Sequence, residues 1–164
     1  MRARRVRLSA WTVLAIVLAL PPVADAAVVG LRASDDAGTA IGLVVTALPG
    51  EANRLTISRS PDGAVIVTDA GATLLPSERC AGGGGTVTCS GGAPGAQLSL
   101  EISTSDGDDV LSLAELADYE SSYVLAGSGN DVVTGGSSRD DLSGNAGDDR
   151  LDGGGGADAL GGGP

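Results

Sequence analysis

The sequence predicts an all-β protein, with a short-stranded β region over residues 27–103 and a β-solenoid of stacked coils over residues 104–164. Three observations predict this class. Short β-branched or alternating stretches are separated by turn residues at about every 8–12 positions. Of the 164 residues 27 are glycine. From residue 126 to residue 163 a nine-residue unit recurs in fixed phase, which is typical of stacked repeats that share one core.

The first 26 residues have the order of a secretory signal peptide. The segment Met1–Arg7 is basic, Trp11–Leu20 is an apolar run, Pro21–Pro22 interrupts it, and Ala24–Ala26 has the small residues of a cleavage site. A membrane anchor is the alternative, but a span needs about 20 apolar residues and this run has ten. We therefore expect a secreted, extracellular chain that begins at Ala27 and has no membrane span.

Residues 27–103 predict strands rather than helices. The expected strands are Leu43–Val45, Leu55–Ser58, Ala64–Thr68, Thr86–Thr88 and Leu98–Ile102. They are separated by turn sequences such as Pro49-Gly50 and Pro61-Asp62-Gly63. The only helix-like stretch runs from Leu111 to Tyr119.

Cys80 and Cys89 are the two cysteines, nine positions apart. In an exported chain such a pair is expected to form a disulfide. Two free thiols or a metal-binding pair are the alternatives, and a zinc site would need further ligands in a chain without histidine.

The composition excludes several function classes. The chain has no histidine, so it has no Ser-His-Asp triad and no imidazole-held zinc. It has no lysine, so it has no phosphate-loop lysine or Schiff base. The net charge of −11 equals that of residues 104–164 alone, which makes nucleic acid a poor partner and a hard cation a plausible one.

The nine-residue unit fixes two positions. Position six is Asp131, Asp140, Asp149 and Asp158, and position eight is Val133, Leu142, Leu151 and Leu160. A glycine-rich half can turn tightly with positive φ, and the last three residues are long enough for a short strand. Two units would make an 18-residue coil, which places Asp131 above Asp149 and Asp140 above Asp158. At the ~4.8 Å spacing of neighbouring strands, such carboxylates repel unless a cation such as Ca²⁺ lies between them.

This pattern resembles the hemolysin-type (RTX) calcium-binding repeat, Gly-Gly-x-Gly-x-Asp-x-aliphatic-x. The resemblance implies a parallel β-roll with Ca²⁺ between successive loops, bound by aspartate carboxylates and by backbone carbonyls of the other residues. One ion would lie between Gly127, Gly129 and Asp131 of one loop and Gly144, Ala146 and Asp149 of another. A second would lie between Gly136, Ser138 and Asp140 and Gly153, Gly155 and Asp158.

A degenerate unit precedes the clear repeats. Residues 105–111 contain a Gly-x-Asp-x-aliphatic core, which makes Asp109 a further candidate ligand. Asp109 and Asp131 are 22 residues apart rather than 18, so an insertion around Ala114–Tyr123 breaks the phase.

The function expected from these features is that of a secreted, non-enzymatic calcium-binding protein that folds on calcium binding and has a structural or interaction role. The alternative is a truncated fragment of a larger exported RTX hydrolase or adhesin. The chain has neither the His-Glu-x-x-His site of the family's zinc proteases nor the nucleophile elbow of its lipases. The sequence does not identify a protein or cell-surface partner.

Overall fold

The computed structural model describes residues 26–33, 40–90, 96–116 and 118–164. The expected signal peptide lies outside these residues except for Ala26, the first residue of β1. The described residues form strands and turns, without a helix. The strands are β1 Ala26–Ala33, β2 Ala40–Thr46, β3 Arg54–Arg59, β4 Val65–Asp69, β5 Thr73–Pro76, β6 Cys80–Gly83, β7 Thr86–Cys89, β8 Gln97–Ser103, β9 Val110–Ser112, β10 Ser121–Ser128, β11 Val132–Thr134, β12 Arg139–Ala146, β13 Arg150–Asp152 and β14 Ala159–Gly161.

The strands form two seven-stranded mixed sheets. The first has the order β14-β12-β10-β8-β2-β1-β5, and the second has the order β13-β11-β9-β3-β4-β7-β6. Antiparallel pairs are confined to β1–β2, β3–β4, β4–β7 and β6–β7. From β8 onwards the described strands alternate between the sheets, and each pairs in parallel with the strand one coil away. The all-β class is therefore confirmed, with mixed rather than purely parallel sheets.

The register of the C-terminal coils agrees with the 18-residue coil expected from the repeat. Ser121 pairs with Arg139, and Val132 pairs with Arg150. The preceding coil has 22 residues, yet Val110 still pairs with Val132. The loop between β9 and β10 takes up the four extra residues, so the phase of the strands is kept.

The expected helix-like stretch Leu111–Tyr119 is not helical. Leu111 and Ser112 lie in β9, and the described residues from Leu113 to Tyr119 form a loop. Leu113, Leu116 and Tyr119 of this loop are buried, so its apolar residues cover the core between the sheets without forming a helical face.

The core lies between the two sheets and is richest in the N-terminal half. Alternate residues of β2, β3, β4 and β8 point inward, as in the burial pattern of β2, where every second side chain is buried. Farther along the chain the inward side chain becomes more exposed, from the buried Leu142 through the partly buried Leu151 to Leu160, which is 50% exposed. The last coils therefore bury little apolar surface.

A disulfide joins Cys80 to Cys89, as predicted. The two residues are direct cross-strand partners in the β6–β7 hairpin. In the described part of the chain, no helix has the length and apolar character needed to cross a membrane.

Replacing both Cys80 and Cys89 by serine should lower the free energy of unfolding by about 2–3 kcal/mol, because the unfolded chain is then no longer restrained by the short loop. Urea denaturation of the oxidised full chain and of the double variant measures the difference. Equal midpoints with equal slopes would contradict this expectation.

Candidate metal centre

Three aspartates form a column beside the second sheet, each directly before a strand. Asp109, Asp131 and Asp149 precede β9, β11 and β13, whose parallel register stacks them. The Asp109 amide donates to Asp131 Oδ1 at 2.8 Å, and the Asp131 amide donates to Asp149 Oδ1 at 2.9 Å. At the N-terminal end the Asn53 amide donates to Asp109 Oδ1 at 2.7 Å. Each carboxylate therefore joins two coils through one of its oxygens.

The second carboxylate oxygen of each of these aspartates is buried and accepts no hydrogen bond from any described residue. This holds for Oδ2 of Asp109, Asp131 and Asp149. Burial raises the pKa of Asp109 and of Asp131, and the neighbouring carboxylates raise the pKa of Asp131 further. A buried oxygen with negative charge and no donor is costly, and a bound cation would remove that cost.

Glycines bring backbone carbonyls to the same place. Gly107, Gly129 and Gly147 lie two residues before the three aspartates, and all have positive φ. A β-carbon on Gly129 would overlap the carbonyl oxygen of Gly107, and one on Gly147 would overlap that of Gly129. Successive loops therefore stack with a carbonyl oxygen directed at the next glycine, close to the aspartate column.

A second column, beside the first sheet, contains Asp140 and Asp158. The Asp140 amide donates to Asp158 Oδ1 at 3.0 Å, which repeats the geometry of the first column. Both oxygens of the Asp140 carboxylate, however, accept hydrogen bonds. Its Oδ1 accepts from Ser122 Oγ at 2.5 Å, Tyr119 Oη lies 2.8 Å from both oxygens, and Oδ2 also accepts from the Gly136 amide at 3.0 Å. Burial and the hydrogen bond to Asp140 raise the pKa of Tyr119, so its hydroxyl keeps its proton and donates.

The structure brings the predicted aspartates together as the repeat implied, in the pairs Asp131 with Asp149 and Asp140 with Asp158. Asp109 joins the first pair despite its 22-residue spacing.

The carbonyl candidates lie in the loops beside these aspartates or in the last residues of β10 and β12. Gly127 is paired with Asn145, and the neighbouring Ser128 is paired with Ala146. The Ala146 carbonyl accepts from the Gly129 amide at 2.9 Å, and the Gly136 carbonyl accepts from the Gly155 amide at 2.8 Å. Each of these two carbonyls keeps a second lone pair.

The remaining candidates have other neighbours. A β-carbon on Gly144 would overlap the Asp149 carboxylate, and one on Gly153 would crowd that of Asp158. Each of these glycines therefore makes room for the aspartate five residues later. Ser138 donates its hydroxyl to the Tyr119 carbonyl at 2.5 Å.

Three residues of these columns were missed by sequence reasoning. Asn53 has no repeat signal because it precedes Asp109 by 56 residues. Tyr119 and Ser122 lie inside or next to the insertion that breaks the period. The only signal for Tyr119 was that it is one of the two tyrosines of the chain.

Among the described residues, no three acidic or cysteine side chains converge on one point as a metal site. A cation held here would therefore combine one or two carboxylates with backbone carbonyls. That all-oxygen mixture is the donor set that Ca²⁺ prefers.

Residues 125–163 match the sequence model of the RTX calcium-binding nonapeptide repeat, in four copies. The match identifies this segment as an array of glycine- and aspartate-rich repeats of the calcium-binding type. The RTX-type repeat segment covers 39 of the 164 residues. Comparison with curated proteins and with solved structures found no match.

Replacing Tyr119 by phenylalanine should destabilise the chain by about 1–3 kcal/mol, because the buried Asp140 carboxylate loses a hydroxyl donor. Tyr123→Phe is the matched control, since Tyr123 is 46% exposed. Urea denaturation in the presence of a chelator measures both. Equal losses in the two variants would show that the Tyr119 hydroxyl contributes nothing specific.

Without calcium, the stability of the chain should rise as the pH falls towards about 3.9, the ordinary aspartate pKa of the unfolded state. The folded-state pKa values of Asp109 and Asp131 are raised, so in this window the folded state holds protons that the unfolded state has lost. As the pH rises through the folded pKa values, this contribution is lost. Urea midpoints from pH 4 to pH 7 measure how steeply stability changes with pH. Asp131→Asn should reduce this dependence, whereas Asp141→Asn, a control at an exposed site, should leave it unchanged. Identical slopes in both variants would contradict the assignment.

Proposed function

We propose that the protein is a secreted, non-enzymatic calcium-binding protein with a structural or interaction role, whose C-terminal coils form a parallel β-roll ordered by calcium. The observation that carries the proposal is the column of Asp109, Asp131 and Asp149, in which one oxygen of each aspartate accepts an amide and the other is buried and accepts nothing. The sequence features of a signal peptide and the disulfide support export. The lack of histidine and lysine supports a non-enzymatic role.

The donor chemistry favours calcium over other cations. The loops offer carboxylate and carbonyl oxygens and no nitrogen or thiolate side chain, a set that suits a hard cation with six to eight ligands. Magnesium retains its water and requires a stricter octahedron. Asp131 and Asp149 would hold one ion together with carbonyls of Gly127, Gly129 and the facing loop.

The second column is a weaker candidate. Both carboxylate oxygens of Asp140 accept hydrogen bonds, from Tyr119, Ser122 and Gly136. Calcium in this column would rest more heavily on Asp158 and on the carbonyls of neighbouring loops. We therefore expect the first column to bind more tightly.

Calcium would order the last coils, which adjoin an N-terminal half whose folding does not depend on calcium. Residues 104–164 carry the charge of −11, and their inward aliphatic side chains become progressively exposed. The N-terminal half holds most of the core and the disulfide, and its strands β2 and β3 pair directly with β8 and β9. Binding energy would then become folding energy for the C-terminal coils. Because extracellular calcium sites often work at ~10⁻⁴–10⁻³ M, these coils would order after export.

A calcium titration of the full chain tests the proposal, with hydrogen exchange read by mass spectrometry and binding read by calorimetry. Calcium should protect amides of residues 126–163 strongly and those of residues 40–90 weakly. No gain in protection up to ~10 mM calcium, well above the extracellular range, would overturn the proposal.

The site-directed form of this test replaces Asp149 by asparagine. The variant should lose at least about tenfold in calcium affinity, the lower end of the cost of disturbing even an outer-shell group of a metal site. Asp141→Asn is the matched control, because Asp141 is exposed on β12 and should bind calcium as the parent chain does. Equal affinities of the two variants would show that Asp149 is not a ligand.

A further inference from the structure

We propose that the calcium column continues beyond the recognised repeats to a site between Asn53 and Asp109, in the coil made by β2 and β3. This inference rests on the proposed function, because it assigns a further site of the same kind. The segment around Asn53 lies far outside residues 125–163, which match the repeat model. It has the sequence Pro49-Gly50-Glu51-Ala52-Asn53-Arg54-Leu55, which does not conform to the nonapeptide pattern.

The strand register makes Asn53 the next member of the column. Arg54 pairs with Val110 in parallel, just as Val110 pairs with Val132. The residue before Arg54 therefore faces the residue before Val110, which is Asp109. The inward aliphatic side chains two residues after the column members are also equivalent. They are Leu55, Leu111, Val133 and Leu151.

The hydrogen bonds of Asn53 repeat those of the aspartates. Its amide donates to Asp109 Oδ1 at 2.7 Å, and its side-chain Nδ2 donates to the same oxygen at 3.2 Å. Asn53 Oδ1 and Asp109 Oδ2 then remain, both buried and both without a hydrogen bond from a described residue. The two residues are 0% and 2% exposed. Unpaired buried oxygens on two adjacent coils point to a ligand that accepts their lone pairs.

The backbone before Asn53 brings a carbonyl oxygen to the next loop, as the repeat loops do. A β-carbon on Gly107 would overlap the carbonyl oxygen of Glu51, as one on Gly129 would overlap that of Gly107. Glu51 lies two residues before Asn53, at the position that glycine takes before each aspartate. Its carbonyl is therefore presented to the Asp109 loop as the carbonyls of the repeats are presented to their neighbours.

The chemistry of this site is that of a calcium site with reduced charge. Asparagine and backbone carbonyl oxygens are ordinary calcium ligands, and affinity depends on the number of charged ligands. With one carboxylate in place of two, the Asn53–Asp109 site should bind calcium more weakly than the Asp131–Asp149 site. It would also extend calcium control from the repeats into the disulfide-linked half of the chain.

The test compares calcium binding to the full chain with binding to Asn53→Asp and Asn53→Leu, by calorimetry and by ¹⁵N amide spectra. Asn53→Asp should tighten the weakest binding step by about tenfold, because it adds a carboxylate. Asn53→Leu should bind one ion fewer. Gln97→Glu is the control, since it makes the same amide-to-carboxylate change at an exposed residue of β8 and should leave binding unchanged.

In the unsubstituted chain, calcium should shift the amide signal of residue 53 at higher concentration than those of residues 131 and 149. A signal of residue 53 that does not move with calcium, beside signals of 131 and 149 that do, overturns this site alone. So does an Asn53→Asp variant with unchanged affinities, even if Asn53→Leu does not fold. An absence of response at all three residues overturns the proposed function together with this site.

Discussion

The hydrogen bond from a backbone amide to the aspartate of the next coil is the interaction on which the C-terminal half of the structure depends. It joins Asp109 to Asp131, Asp131 to Asp149 and Asp140 to Asp158. Because it uses one carboxylate oxygen, and in Asp131 and Asp149 leaves the other buried without a donor, it ties the coils together and leaves negative charge inside. A stack of such bonds orders the coils only where a donor or a cation offsets that charge.

The rest of the repeat follows from accommodating this carboxylate. At Gly144 and Gly153 the space of a β-carbon is taken by the aspartate five residues later. At Gly129 and Gly147 positive φ and the missing side chain let the carbonyl of the preceding loop approach. Only one inward aliphatic side chain per half coil remains, which is too little to hold the coils together by apolar burial alone. The glycine-rich sequence is therefore a steric requirement of the aspartate column.

Periodicity made part of this arrangement predictable. Four of the five expected strands match β3, β4, β7 and β8 to within a residue, and the fifth, Leu43–Val45, lies inside the longer β2. Both the disulfide and the repeated coils could be predicted from spacing. The insertion after β9 was expected to break the phase, but a loop absorbs it and the Asp109 register survives. Asn53 could not be found, because its partner is 56 residues away and no period links them. Contacts between coils of unequal length produce no regular spacing in the sequence.

The two columns end in different ways, and this decides where a cation is needed. The first column, beside the second sheet, ends at Asn53, whose side-chain oxygen is buried without a donor. The second column ends at Asp140, whose carboxylate accepts hydrogen bonds from the hydroxyls of Tyr119 and Ser122. A hydroxyl donor offsets the charge of a buried carboxylate at all times. A cation would offset an unpaired oxygen only while it is bound, which depends on the cation concentration. The second column therefore ends in hydroxyl donors of the chain itself, whereas the first column ends in oxygens without a donor.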